Sequence, residues 1–123
     1  MKDRPKIYNQ SVMHHYQNPH NKGKLDSPDY SVTEENPNCG DRITLELKLE
    51  KNKITDVKFD GHGCVLSIGA ASVLTQMVRG LTVTEAANLT LDDLVDNMGN
   101  PLKMREECVS LSLKALKKAL SNW

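Results

Sequence analysis

Asp41 to Glu50 alternates without a slip. Ile43, Leu45, Leu47 and Leu49 fall on one side, with Arg42, Thr44, Glu46, Lys48 and Glu50 on the other. A period of two belongs to a β-strand with one buried face and excludes a helix here. Lys51-Asn52-Lys53 turns the chain, and Ile54 to Asp60 returns with Val57 and Phe59 on one face. A strand at Tyr30 to Glu34 completes a small antiparallel sheet of about three strands. Its apolar face needs a cover, and helical segments must supply it.

The remainder reads as helices. Ile7 to Gln17 forms a short one, stopped at Asn18-Pro19 because a residue before proline avoids the helical region. His20 to Tyr30, rich in Gly, Pro, Asn and Asp, is a loop. Cys64 to Arg79 is a helix closed by Gly80, and its small residues from Ser67 to Ser72 suit close packing against the sheet. Thr84 to Asn88 and Leu91 to Asn97 are short helices, the second capped by Thr90. Met98-Gly99-Asn100-Pro101 breaks the chain before a final helix, Leu102 to Leu120. That helix sets Met104, Cys108, Leu111, Ala115 and Ala119 on one side, with Val109, Leu113, Leu116 and Leu120 beside them. The expected architecture is α+β, with residues 1–123 forming one domain.

With 16 Lys plus Arg against 16 Asp plus Glu, the 123-residue chain offers no bulk field for nucleic acid or an anionic membrane. The most apolar stretch, Val65 to Val78, is too short and too interrupted by polar residues to span a bilayer. The charged start, Met1-Lys2-Asp3-Arg4-Pro5-Lys6, lacks the apolar core of a secretory signal. The expectation is a cytoplasmic, reducing setting in which thiols stay free. Phe59 and Trp123 are the only Phe and Trp, so the core is aliphatic.

Three cysteines stand in three different elements, none as CxxC, which excludes a zinc ribbon or a thioredoxin-type pair. Cys39 follows Asn36-Pro37-Asn38 and precedes Gly40-Asp41. Asp41 either points back toward the thiols or serves as a turn acceptor at the strand start. Cys64 follows Gly61-His62-Gly63, glycines that permit a tight strand-to-helix turn. At a helix N-terminus the dipole favours negative charge, and thiolate is the form that binds metal; the alternative is a small buried hydrophobe. Cys108 opens the last helix on its apolar side, so it is either core or ligand. Glu107 projects about 100° away, toward the polar face; it is a solvated surface glutamate or bends back to share a metal. His62 is a ligand or a turn residue. His14 and His15, being consecutive on a helix, do not share a face: one is buried or partner-facing, the other solvated.

In order, these segments resemble one family, the U-type iron–sulfur cluster scaffold proteins (the IscU, SufU and NifU N-terminal group). The likeness runs from His15-Tyr16-Gln17-Asn18-Pro19-His20-Asn21-Lys22-Gly23-Lys24-Leu25 through Asn36-Pro37-Asn38-Cys39-Gly40-Asp41. It continues in Phe59-Asp60-Gly61-His62-Gly63-Cys64-Val65-Leu66-Ser67 and ends at Cys108. The resemblance implies a scaffold on which a cluster, [2Fe–2S], is built and handed on. Cys39, Cys64 and Cys108 would be the thiolate ligands and Asp41 a carboxylate ligand. Glu107 is a candidate further ligand, and Cys108 a candidate persulfide acceptor. Implied partners are a pyridoxal-phosphate (PLP) cysteine desulfurase as sulfur donor, apo iron–sulfur acceptor or carrier proteins, and a ferredoxin or frataxin-like protein.

The chain also departs from the branches it resembles. Glu107 stands where the IscU branch has a histidine. The Leu-Pro-Pro-Val-Lys chaperone segment of that branch is absent, which argues against a dedicated Hsp70 chaperone. The insertion of the SufU branch between its second and third cysteines is missing as well, since 108 − 64 leaves only 44 positions. The SufU branch implies the alternative function: a zinc-dependent sulfurtransferase, with Zn2+ held by three thiolates and Asp41, accepting persulfide and stimulating a desulfurase. A structural zinc domain that binds a partner protein is the plainest reading.

Overall fold

The computed structural model describes residues 10–38, 40–99 and 106–121. Three antiparallel strands, β1 (Tyr30–Asn36), β2 (Asp41–Glu50) and β3 (Lys53–His62), form a meander in the order β1-β2-β3. The alternating stretch is β2, and Ile43, Leu45 and Leu47 are fully buried on its inner face. Ile54, Val57 and Phe59 of β3 continue that face. β1 runs two residues past its expected end, to Asn36, because Glu35 and Asn36 still pair with Arg42 and Asp41. The turn between β2 and β3 is tighter than expected: Lys53 already pairs with Glu50, leaving Lys51 and Asn52 at φ 51° and 68°. Two left-handed residues in a two-residue loop match the right-handed twist of the strands they join.

The helices cover one face of the sheet. They are α1 (Gln10–Gln17), α2 (Val65–Val78), α3 (Val83–Ala87), α4 (Leu91–Asn97), α5 (Glu106–Val109) and α6 (Leu111–Leu120). Leu66 to Thr75 of α2 are all buried, as expected of a helix packed on several sides. It lies against β2, β3, α1, α4, α5 and α6. Small residues allow this: a Cβ on Gly69 would stand 3.3 Å from Val12 of α1. α3 and α4 each begin in a reciprocal capping box, Thr82 with Glu85 and Thr90 with Asp93. Among the described residues, no helix is long and apolar enough to cross a membrane.

The final helix differs from expectation. Its described part is two helices, α5 and α6, meeting at Ser110 with φ −80° and ψ −5°. The bonds Ser110 N–H to Glu106 O and Lys114 N–H to Ser110 O, both 2.8 Å, carry the chain across. The apolar periodicity therefore continues through the junction. Met104, assigned to the same apolar side, lies outside the described residues, as does the chain break beyond Gly99.

α1 docks on α2 through a polar contact. Nδ1 of His15 lies 2.7 Å from Oγ of the buried Ser72, while the preceding His14 is exposed. Desolvation, then the neighbouring His20 and His14 rings, hold the His15 imidazole below its usual value of 6.5.

Candidate metal centre

The turn between β1 and β2 is the first part of the centre. Gly40 N–H donates to Asn36 O at 2.8 Å, and Gly40 takes φ 78°, a conformation glycine adopts without penalty. Asn36 Oδ1 receives Asn38 N–H within this turn at 3.1 Å. Asp41 reaches across to α2. It is 4% exposed at the start of β2, and its carboxylate accepts the hydroxyl of Ser67 at 2.5 Å.

Cys64 is the N-cap of α2, in extended conformation with its side chain making no cap hydrogen bond. The strand-to-helix passage is later than the glycines suggest, since Gly61 and His62 still belong to β3. Gly61 is needed for close approach and not for a turn. It sits at φ 139°, and a Cβ there would fall 2.0 Å from the Arg42 carbonyl oxygen. Cys108, from α5, is fully buried. Its place on the apolar side of the helix brings it under α2, against which α5 packs.

Ligand atoms of Asp41, Cys64 and Cys108 all lie within 4.8 Å of one another. Tetrahedral zinc with thiolates at about 2.3 Å and a carboxylate oxygen at about 2.0–2.2 Å spaces its ligands roughly 3.5–3.8 Å apart. Closing the difference takes about an ångström of side-chain movement. Two soft thiolates and a hard oxygen suit zinc or iron better than magnesium or calcium. The residues present fit such an ion.

Ser67 joins the three. Its hydroxyl donates to Asp41, lies 3.6 Å from Cys64 Sγ and stands 3.4 Å from the Cys108 carbonyl oxygen. Gly63 makes room for them: a Cβ there would meet Asp41 Cγ at 2.9 Å and Ser67 Cβ at 3.1 Å. Neither role is legible locally. Ser67 follows Cys64 by three positions, which shows that it shares a helix face with the thiol but not that it reaches Asp41.

Neither His62 nor Glu107 belongs to this group of ligand atoms. His62 is exposed at the end of β3, opposite Arg42. Glu107 is exposed on α5, beside a groove lined by Glu34, Asn36 and Lys114. Cys39 lies outside the described residues.

Residues 7–123 match the model of the NifU-like N terminal domain. The chain is 36% identical over 117 residues to the iron-sulfur cluster assembly scaffold protein IscU 1 of Archaeoglobus fulgidus, covering 95% of this chain and 76% of that one. It is 35% identical over 134 residues to the zinc-dependent sulfurtransferase SufU of Bacillus subtilis, covering 94% and 90%. A crystal structure of a putative iron-sulfur cluster assembly scaffold protein for the SUF system, from Fervidobacterium islandicum, superposes with a TM-score of 0.79. It is 27% identical, and the match covers 93% of this chain and 96% of that one. The starts of β2 and α2 and the short helix α5 thus bring one carboxylate and two thiols together in a chain that belongs to the NifU-like N-terminal domain family.

Proposed function

We propose that this protein is a scaffold on which an iron–sulfur cluster, [2Fe–2S], is assembled from iron and desulfurase-derived sulfur and then passed to acceptor proteins. The observation that carries this is the convergence of Asp41, Cys64 and Cys108. Such a meeting across the fold is what a cargo site requires and what a core cysteine has no need of. Cys39 is assigned to the same centre from its place in the Asn36–Asp41 motif, and Glu107 is the candidate further ligand. A mixed set of thiolates and carboxylate holds a cluster less firmly than four thiolates, because oxygen matches cluster iron less well. A donor needs that weakness.

The chain's own groups prepare this site. Ser67 holds the Asp41 carboxylate, and Gly63 leaves space for it. Cys64 stands at the N-terminus of α2, where the helix dipole favours negative charge. Sulfur arrives when a thiolate of the chain attacks the outer sulfur of the desulfurase persulfide. The new persulfide then stays on the chain, and the desulfurase cysteine leaves as thiolate. Of the two described thiols Cys64 is the more accessible, while Cys108 is 0% exposed. Cys108 accepts sulfur only if α5, a helix of four residues, opens.

The second reading is a zinc-dependent sulfurtransferase that accepts persulfide. It is favoured by the fit of the ligand set to one tetrahedral ion and by the likeness to a protein of that name. Anaerobic incubation with a cysteine desulfurase, cysteine, ferrous iron and reductant separates the two. The scaffold binds iron and sulfide in equal amounts, with thiolate-to-iron charge-transfer bands that each cysteine-to-serine variant loses. Retained zinc, no cluster and faster desulfurase turnover would replace the scaffold reading with the sulfurtransferase.

A further inference from the structure

Three of the four histidines meet beside Ser72, away from the thiols. Ring centroids are 5.0 Å apart for His15 and His20, 5.9 Å for His14 and His15, and 6.0 Å for His14 and His20. Consecutive helix residues splay by about 100°, so His14 and His15 alone would not converge. The third ring joins them because the chain turns at Asn18, whose N–H donates to His14 O at 2.8 Å, and His20 returns along the end of α1.

The support beneath the rings is fixed. Buried Ser72 presents its Oγ to His15 Nδ1 at 2.7 Å and accepts the His20 backbone N–H at 2.8 Å. Thr75 donates its hydroxyl to Ser72 O at 2.7 Å, with the His20 carbonyl 3.3 Å away, and accepts from Asn21 Nδ2 at 3.1 Å. With Nδ1 engaged, His15 offers Nε2. A ring nitrogen bonded to a fixed partner, leaving the other for the ion, is the arrangement that metal-binding histidines use.

We propose that His14, His15 and His20 form a second site, for a divalent transition-metal ion of the zinc, cobalt or nickel kind, independent of the thiolate centre. Zinc–nitrogen bonds of about 2.0–2.1 Å place two imidazole centroids roughly 5 Å apart at a tetrahedral angle. The His15–His20 pair already stands at that spacing, at 5.0 Å. The rings are inclined at 85°, 46° and 51° and do not yet aim at one point. The three rings must therefore turn onto the ion as it binds, and the exposed His14 and partly buried His20 are the ones with room to do so. Ser72 follows Cys64 by 72 − 64 = 8 positions, roughly 12 Å along the helix axis, so one ion cannot serve both sites. An ion held there ties α1 and the following loop to α2.

The test is a titration of the whole chain, first with one equivalent of zinc to fill the thiolate centre and then with a second. Histidine ring signals are followed by 1H–15N NMR. The second equivalent shifts the rings of His14, His15 and His20 and leaves His62 in place. His14→Gln and His20→Gln, both changed at the surface, each weaken the second binding more than tenfold without altering the first. Ser72→Ala weakens it by roughly 10–100-fold, the usual cost of losing the partner behind a ligand. If zinc does not enter the thiolate centre, the first equivalent moves the same three rings, and the site stands. Zinc that moves none of these rings, or binds equally well in both glutamine variants, overturns it.

Discussion

Gly63→Ala tests whether the centre is built to the tolerance that metal binding demands. The position has no left-handed backbone to forfeit, so the added methyl acts by volume alone. It would lie 2.9 Å from Asp41 Cγ, 3.1 Å from Asp41 Oδ1 and 3.1 Å from Ser67 Cβ. Carbon atoms rest at about 3.5–4.0 Å, so Asp41 must retreat by roughly 0.6 Å or more. Metal–ligand distances are fixed to about 0.2 Å, and the methyl takes up space in which the Asp41 carboxylate must settle onto the ion. Overpacking of this kind costs about 1–3 kcal/mol of folding stability, which leaves the fold intact. We expect zinc affinity, measured by competition with a chromophoric chelator, to fall at least tenfold while circular dichroism stays native. Gly80→Ala is the control: nothing lies within 4 Å of its Cβ, so it senses only the cost of φ 92°. A folded Gly63→Ala that binds zinc within twofold of wild type would refute the geometric argument.

Other consequences follow from single groups. Ser67→Ala leaves the buried Asp41 carboxylate without its hydroxyl donor. Losing a bond to a charged group costs about 1.5–3 kcal/mol, read as a lower melting temperature, and zinc affinity falls as well; unchanged values would remove Ser67 from the centre. Ser112 Oγ is buried with no hydrogen-bond partner among the described residues, so Ser112→Ala stabilises the fold by about 1 kcal/mol in chemical denaturation, and a loss of stability would contradict this. Glu85 and Asp93 titrate below their ordinary 4.5 and 3.8, chiefly because the Thr82 and Thr90 backbone N–H groups bond their carboxylates. Their contribution is present above those ordinary values and lost as pH falls through the lower folded ones. Glu85→Gln with Asp93→Asn therefore flattens the acid limb of melting temperature against pH; parallel limbs would exclude the effect.

Elements set by local period or punctuation were legible in the sequence. Alternation marked β2, Thr90 marked the start of α4 and Gly80 followed the end of α2, because each signal acts within a few residues. Periodicity also set Cys108 on the inner side of its helix, where it is buried. The break at Ser110 leaves no mark in the sequence because backbone hydrogen bonds and apolar spacing both run through it. Gly61 reads locally as a turn residue, since a glycine's need for close approach depends on which strand lies opposite, here at Arg42. Ser67 and Asp41 stand 67 − 41 = 26 positions apart, and only the packing of α2 over β2 brings them together. The histidine cluster is hidden for a similar reason: His20 reads as loop, and its return to α1 depends on Ser72.

X-ray absorption at the zinc edge, on the zinc-loaded chain and its Cys108→Ser variant, tests the central claim most directly. The account predicts sulfur neighbours at about 2.3 Å together with an oxygen at about 2.0–2.2 Å, and one sulfur fewer in the variant. A sulfur shell that does not change when Cys108 is replaced, or a shell of nitrogen and oxygen alone, would contradict it.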